Sequence, residues 1–351
     1  MDNINNESAV IQPRQISTTL DDVAHAAGVS PATVSRCLND PDAVRPAKRE
    51  KVFKAIEDLG YVPHGAARAL ASRRTRMIGA IFPSLDNTLF GGMMEPLQSE
   101  VSAAGYTLVV ASTAYDPAQE LKVVRNLISN GVDALTLVGA SRDPAVYDLI
   151  RRKHVPYILN WISDAAGGHP CVGFNNLEAA ARVARYLLDI GHRRFAMISG
   201  HLAINDRASA RRKGVEIALQ ERGISLSPER VLERPFGVDE GREAFRLLMS
   251  LPEPPTAVIC GGEPFAYGAI FESHDLGVRI PDEVSITGFD DMWPAAQITP
   301  SLTTVQTPRR EMGIKVAKHL LATLSRQPIA DPKPLETKLI IRDSTGPARQ
   351  T

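Results

Sequence analysis

The sequence predicts an all-α N-terminal headpiece with a hinge helix, followed by a large α/β domain of two lobes, each built on a doubly wound parallel sheet. Three observations carry this expectation. Up to about residue 60 apolar residues recur at helical spacing, whereas from Met77 onward short apolar runs alternate with helical stretches. Glycines close those stretches before each new run, at Gly105, Gly131, Gly191, Gly223 and Gly277. The 351-residue chain is formally neutral, yet residues 30–76 hold ten Lys and Arg against five Asp and Glu, and no acid occurs between Asp58 and Asp86. A basic segment on a neutral chain is an electrostatic footprint for phosphate, although a solvated helix face has the same composition.

Residues 1–17 read as a polar arm without the apolar core of a signal peptide. Thr19-x-x-Asp22 forms a capping box ahead of Leu20, Val23, Ala24 and Ala27, and Gly28 stops that first helix. Ser30 caps a second helix, with Pro31 at its first position, where the missing N–H costs nothing. Val34, Cys37 and Leu38 share one face of it. Ala32, Thr33 and Arg36 share the other, which is small, hydroxylated and basic. Two short helices joined by a glycine-containing turn make a helix-turn-helix, and such an outer face suits the major groove of DNA. An ordinary helical hairpin is the alternative on these residues alone. A third helix opens at Pro46 and closes at Gly60, with Val52, Ala55, Ile56 and Leu59 as its stripe, completing a headpiece over 18–64. The hinge, 65–76, is rich in Ala and Arg, and Leu70 is its only large apolar residue before Met77. So short a helix is marginal alone. Leu70 is either a wedge for the minor groove or a linker residue that packs on the next domain.

In the domain over 77–351 the runs MIGAIF, YTLVVAS, ALTLVG, YILNW, VGF, RFAMIS, TAVICG and VSITGF read as buried parallel strands. Ligands of open α/β sheets bind beyond the carboxyl ends of strands. Those ends carry Asn87 and Phe90, Asn160 and Trp161, Asn205, Asp206 and Arg207, Gly262 and Glu263, and Asp290 and Asp291, with Arg211 a turn beyond Asp206. Aromatics, amides, carboxylates and arginine together suit a polyhydroxylated or acidic ligand. Pro96 is expected to shift or break the helix after Phe90. GxGxxG, GxxxxGK[ST], GxSxG and HExxH are all missing, so the chain does not read as an enzyme and calls for no cofactor or metal. The scattered Cys37, Cys171 and Cys260 and the lack of a membrane-length apolar run point to the cytoplasm, with each cysteine a small buried residue.

TLDDVAHAAGVSPATVSRCLND, KVFKAIEDLGYVPH, AARALASRRTRMIG and SITGFDD followed by TPSLTTV resemble the lactose/galactose repressor (LacI/GalR-type) family of bacterial regulators, from about residue 18 to the end. PSLDNTLF, VGFNNLEAA and VQTPRREMG are most similar to its gluconate-type branch. The resemblance implies a periplasmic-binding-protein-like domain, with an N-lobe of about 77–175 and 305–334 and a C-lobe of about 176–304 and 335–345. It also implies a repressor of a catabolic operon. Such a protein binds double-stranded, pseudopalindromic operator DNA as a homodimer or tetramer, and a small-molecule effector between the lobes controls it. STGPARQT lacks a leucine heptad, which favours the dimer.

Carried over, Pro31, Ala32 and Arg36 fall on base-reading positions, and Ser30, Thr33, Ser35 and Asn39 on phosphate or structural ones. Thr19, Tyr61, His64, Ala67, Arg68 and Leu70 complete the DNA-binding set. Phe90, Asn160, Trp161, Arg211, Phe236, Glu263 and Asp290 fall on effector-contact positions, to which the strand-end residues Asn205 and Asp206 are added. Two departures, Gly262-Glu263 for Asn-Asp and Asn160 for an aspartate, argue against a neutral hexose. The resemblance to the gluconate-type branch implies a sugar acid such as gluconate, or a related sugar, with Arg211 as the partner of a sugar-acid carboxylate. Arg45 stands where a serine usually caps the third helix. A solitary periplasmic-type solute-binding protein would show a signal peptide and no basic headpiece. An α/β enzyme acting on a sugar would show an activated nucleophile, a metal cluster or a phosphate loop.

Overall fold

The computed structural model describes residues 18–62, 74–86, 88–165, 167–329 and 333–349. The chain divides into two compact units, Met1–Thr75 and Arg76–Thr351. The arm, Asn87 and the hinge positions His64, Ala67, Arg68 and Leu70 lie outside the described residues.

In the first unit α1 spans Leu20–Ala27, α2 Pro31–Asn39 and α3 Pro46–Asp58. Both halves of the capping box form at Thr19 and Asp22, and Gly28 ends α1 at φ 64°, a left-handed turn that glycine adopts without strain. Ser30 Oγ accepts from the Thr33 N–H. Val23, Val34, Cys37 and Val52 are fully buried together with Ala24, Ala27 and Ala55, a core of mostly small residues. Arg45 gives α3 no side-chain cap, as its departure from serine requires.

The second unit holds two parallel sheets. In the first, β1 (Met77–Phe82), β2 (Thr107–Ser112), β3 (Ala134–Val138), β4 (Tyr157–Asn160) and β5 (Cys171–Val172) lie in the order β2-β1-β3-β4-β5. Their crossovers are α4 (Thr88–Ala103), α5 (Pro117–Ser129) and α6 (Pro144–Arg152). In the second, β6 (Phe195–Ser199), β7 (Val231–Glu233), β8 (Ala257–Cys260) and β9 (Ser285–Thr287) lie in the order β7-β6-β8-β9. They are joined through α8 (Asp206–Gln220), α9 (Val238–Met249) and α10 (Glu263–Leu276), and α7 (Asn176–Asp189) packs against α8. Asp116, Asp143, Asn175 and Asn205 cap α5, α6, α7 and α8, and Pro117 and Pro144 fill first-turn positions. No helix among the described residues is long and apolar enough to cross a membrane.

Three features depart from expectation. The helix after Phe90 is not broken: α4 runs through Pro96. Facing Pro96 on α11 (Arg309–Leu324) is Gly313, where a Cβ would stand 2.9 Å from Pro96 Cγ and 2.3 Å from the Met93 carbonyl oxygen. That close helix–helix contact buries the ring and offsets the hydrogen bond proline cannot donate. Beside the parallel sheets lies an antiparallel pair, β10 (Thr304–Gln306) with β11 (Lys338–Ile340), in which Val305 faces Leu339. Its strands are separated by α11, so no hairpin turn announces them. Cys171 is half-buried rather than buried, because β5 is the short outer strand of its sheet.

His192 ties the C-terminal segment to β9. Its buried ring meets Thr256 Oγ1 through Nδ1 at 3.0 Å, and Ser285 Oγ at 3.0 Å and the Gly346 carbonyl at 3.1 Å through Nε2. Burial holds its pKa below the ordinary imidazole range. The unfolded chain therefore takes up the proton first. The site's stabilisation is complete above about pH 6.5 and is lost as the pH falls through the folded-state value. Denaturant melts at about pH 7.5 and about pH 5.5 should show wild type losing more stability between them than His192→Gln. Parallel losses in both proteins would assign the effect to other groups.

Candidate nucleic-acid interface and effector cleft

On α2 the cap and the buried Val34 and Cys37 fix which side faces out. Pro31, Ala32, Arg36 and Asn39 are exposed, while Thr33, Ser35 and Leu38 are half-buried. No carboxylate among the described residues pairs with Arg36. A free guanidinium beside Pro31 and Ala32 can donate two hydrogen bonds to a guanine edge, with apolar contacts next to it. Other residues of the set are occupied at home. Thr19 Oγ1 serves the capping box, Ser30 and Thr33 share a hydroxyl contact of 2.9 Å, and Asn39 Nδ2 donates to the Ser35 carbonyl. Tyr61, expected at the DNA, is buried in the headpiece core: Gly60 turns the chain at φ 57° and lays the ring over the three helices.

In the second unit the loops after β1, β2 and β4 meet those after β6, β8 and β9 around a small cavity of about 30 Å3. Its walls include Phe90, Trp161, Asn205, Arg211, Phe236 and Asp290, all expected from the sequence. Phe90 meets Trp161 edge to face, with ring centroids 5.0 Å apart. Arg211 projects inward from α8 with its guanidinium carbon 4.2 Å from the centroid of Phe289. Its Nη1 donates to the Gly261 carbonyl at 2.6 Å and its Nε to the Arg207 carbonyl at 3.3 Å, while its Nη2 bonds to no acceptor among the described residues. Burial pushes its pKa down to about 10, with Asp290 opposing, so it remains a cation at neutral pH. Asp290 is itself buried, which raises its carboxyl above the usual range against the pull of Arg211. The nearest hydroxyl donor it accepts from is Thr307 Oγ1, at 3.3 Å. Trp161 Nε1 is buried without a partner. Trp161 and Asp290 also sit at φ 64° and φ 111°, backbone strain of the kind that structures retain at ligand sites.

Three expected residues do not line this cavity. Asn160 is fully buried between strands, where its Nδ2 donates to Thr136 Oγ1 at 2.7 Å. The Glu263 carboxylate accepts from Tyr267 Oη, the Met292 N–H and Thr304 Oγ1, and burial together with Asp290 pushes its pKa up to about 7. Asp206 reaches across the cleft, where its Oδ2 accepts the Ala140 N–H at 2.6 Å and the Ser141 N–H at 3.3 Å. Its other oxygen holds Arg207 at 2.7 Å. Gly139, at φ 71°, leaves room for that guanidinium, since a Cβ there would stand 1.7 Å from Arg207 Nη1. Arg207, named with the strand-end residues, also lines the cavity, and Leu89, Tyr115 and Ala208 line it without having been selected. Tyr115 follows a strand end like the residues that were chosen, so it carried the same signal.

Residues 19–64 match the model of the bacterial regulatory proteins, lacI family, and residues 184–345 that of a periplasmic binding protein-like domain. The HTH-type transcriptional regulator GntR of Pseudomonas aeruginosa is 32% identical over 330 residues, 93% of this chain and 95% of that one. The chain belongs to the lacI family of bacterial regulatory proteins. It is a DNA-binding transcriptional regulator and not an enzyme. Among solved structures, this lacI-family regulator is similar to the Lac repressor dimer bound to operator and the anti-inducer ONPF. The TM-score there is 0.82, with 25% identity over 94% of this chain and 99% of that one. It is also similar to the transcription regulator GntR from Chromobacterium violaceum, with a TM-score of 0.72 and 30% identity over 77% and 99% of the two chains.

Asp206 joins elements from opposite sides of the regulator's cleft, so Asp206→Ala should unlatch them. Charged hydrogen bonds of this kind contribute about 1.5–3 kcal/mol each, and the variant should lose about that much in denaturant melts. A loss under about 0.5 kcal/mol would mean that water replaces the carboxylate.

Proposed function

We propose that this regulator is a repressor of a catabolic operon, binding a pseudopalindromic operator as a homodimer and controlled by a sugar acid of the gluconate type held in the cleft. The supporting observation is the state of Arg211: a buried cation with its Nη2 group uncommitted and no carboxylate within ion-pair distance among the described residues. A ligand carboxylate supplies the missing partner. Asp290 and Trp161 Nε1 are then open to ligand hydroxyls, and Phe90 and Phe236 offer apolar faces. A neutral sugar would leave the cation uncompensated.

On this reading phosphate contacts from the basic headpiece supply salt-dependent affinity, and Pro31, Ala32 and Arg36 read bases. The domain bounds and the dimer, rather than a tetramer, are part of the same proposal. Near saturation, about 100 times the dissociation constant, a true effector stabilises the folded protein by about 2.7 kcal/mol. Gluconate should therefore raise the melting temperature of wild type and leave Arg211→Ala unmoved. Stabilisation of both proteins, or of wild type by a neutral sugar alone, would move the carboxylate away from Arg211. For the hinge, Leu70→Ala should weaken operator binding at least ten-fold more than non-specific binding in salt-matched titrations. Equal losses would remove the wedge.

A further inference from the structure

The cavity at Arg211 is one of two compartments. Tyr115 and Arg207 line it and also line a second, larger space of about 230 Å3 that opens outward between the loops after β2 and β3 and residues Ala203 and Ile204.

The chemistry of the outer compartment differs from that of the inner one. Three carboxylates, Asp116, Glu120 and Asp143, face two guanidiniums, Arg142 and Arg207. Arg142 is spent on the protein: it pairs with Glu120 at 2.7 Å and donates to Tyr147 Oη and to the carbonyls of Val138 and Gly139. Asp116 and Asp143 each give one oxygen to a helix cap, at 2.8 Å from the N–H groups of Ala118 and Ala145. A second anion would find no free cation there except Arg207, whose Nη1 already serves Asp206. The open polar positions are instead the second oxygens of Asp116 and Asp143, the Glu120 oxygen not bonded to Arg142, on a carboxyl that burial already holds above its usual range, and the Nε and Nη2 of Arg207, a side chain more than nine-tenths buried. Opposite them Pro83, Pro117 and the partly exposed Ile204 present apolar surface. Three carboxylate acceptors and a pair of donors facing an apolar wall match a neutral, hydroxylated ring.

We propose that the effector spans both compartments: a sugar acid bearing a glycosyl substituent, with its carboxylate on Arg211 and its glycosyl ring between Glu120, Arg207 and Ile204. This rests on the sugar-acid reading and extends it. The test is calorimetric titration of the full-length protein with gluconate and with cellobionate, which is gluconate carrying one further glucose. Cellobionate should bind at least ten-fold tighter. Glu120→Gln, which keeps an oxygen for Arg142, and Ile204→Trp, which fills the outer space, should each cut that advantage to less than three-fold. Cellobionate binding no tighter than gluconate, or keeping its advantage in both variants, overturns the second compartment. If gluconate still binds through Arg211 in that case, the reading of the inner site stands. No heat from either acid overturns both.

Discussion

A guanidinium held out of water without a carboxylate partner is the constraint on which the cleft depends. Transfer of an unpaired charge into a protein interior costs several kcal/mol, and the fold meets this at Arg211 with weak partners only: two carbonyls, the face of Phe289 and the more distant Asp290. Asp290 is turned into place by strained backbone, and Glu263, which lies close enough to raise its own pKa against Asp290, is turned away and fully bonded elsewhere. The partially satisfied charge is therefore built in by the packing.

The parts of the fold that were legible in the sequence are those whose cause is local. The caps read at Thr19 and Ser30 bond to N–H groups three residues away, so their partners sit in the same short stretch; Asp116, Asp143, Asn175 and Asn205 cap their helices in the same local way, although they were not singled out as caps. Buried strands read as apolar runs because both of their faces are covered. The antiparallel β10–β11 pair has no local cause: Val305 and Leu339 meet only after α11 has packed on α4.

The same distinction explains the cleft. Strand-end position identified the right loops, and the side chains of Phe90, Trp161, Asn205, Arg211 and Asp290 do line the cavity. It did not identify which side chains are already claimed. Asp206 is taken by amides 65 and 66 residues earlier, and Glu263 by a threonine 41 residues later. Asn160 is taken across the sheet by Thr136, 24 residues before it. A carboxylate at a strand end reads the same whether its partner is a ligand or a distant amide, and only the tertiary structure separates the two.

These two kinds of carboxylate act in opposite senses on the cleft. The contact of Asp206 with Ala140 and Ser141 exists only while the two sides are together, so it favours closure whether or not a ligand is present. Burial of Arg211 disfavours closure while its Nη2 lacks an acceptor. A ligand carboxylate cancels the second effect and leaves the first untouched. Because a ligand shifts an equilibrium only by its differential affinity, a swing from 1:99 to 99:1 would require about 5.5 kcal/mol of preference for the closed form. A built-in latch lowers that requirement, since the empty cleft then starts nearer balance. The opposing cost at Arg211 keeps the empty cleft from closing outright. In the proposed mechanism, the position of balance is thus shifted by Asp206, which touches no ligand atom, and the response is set by Arg211, which does.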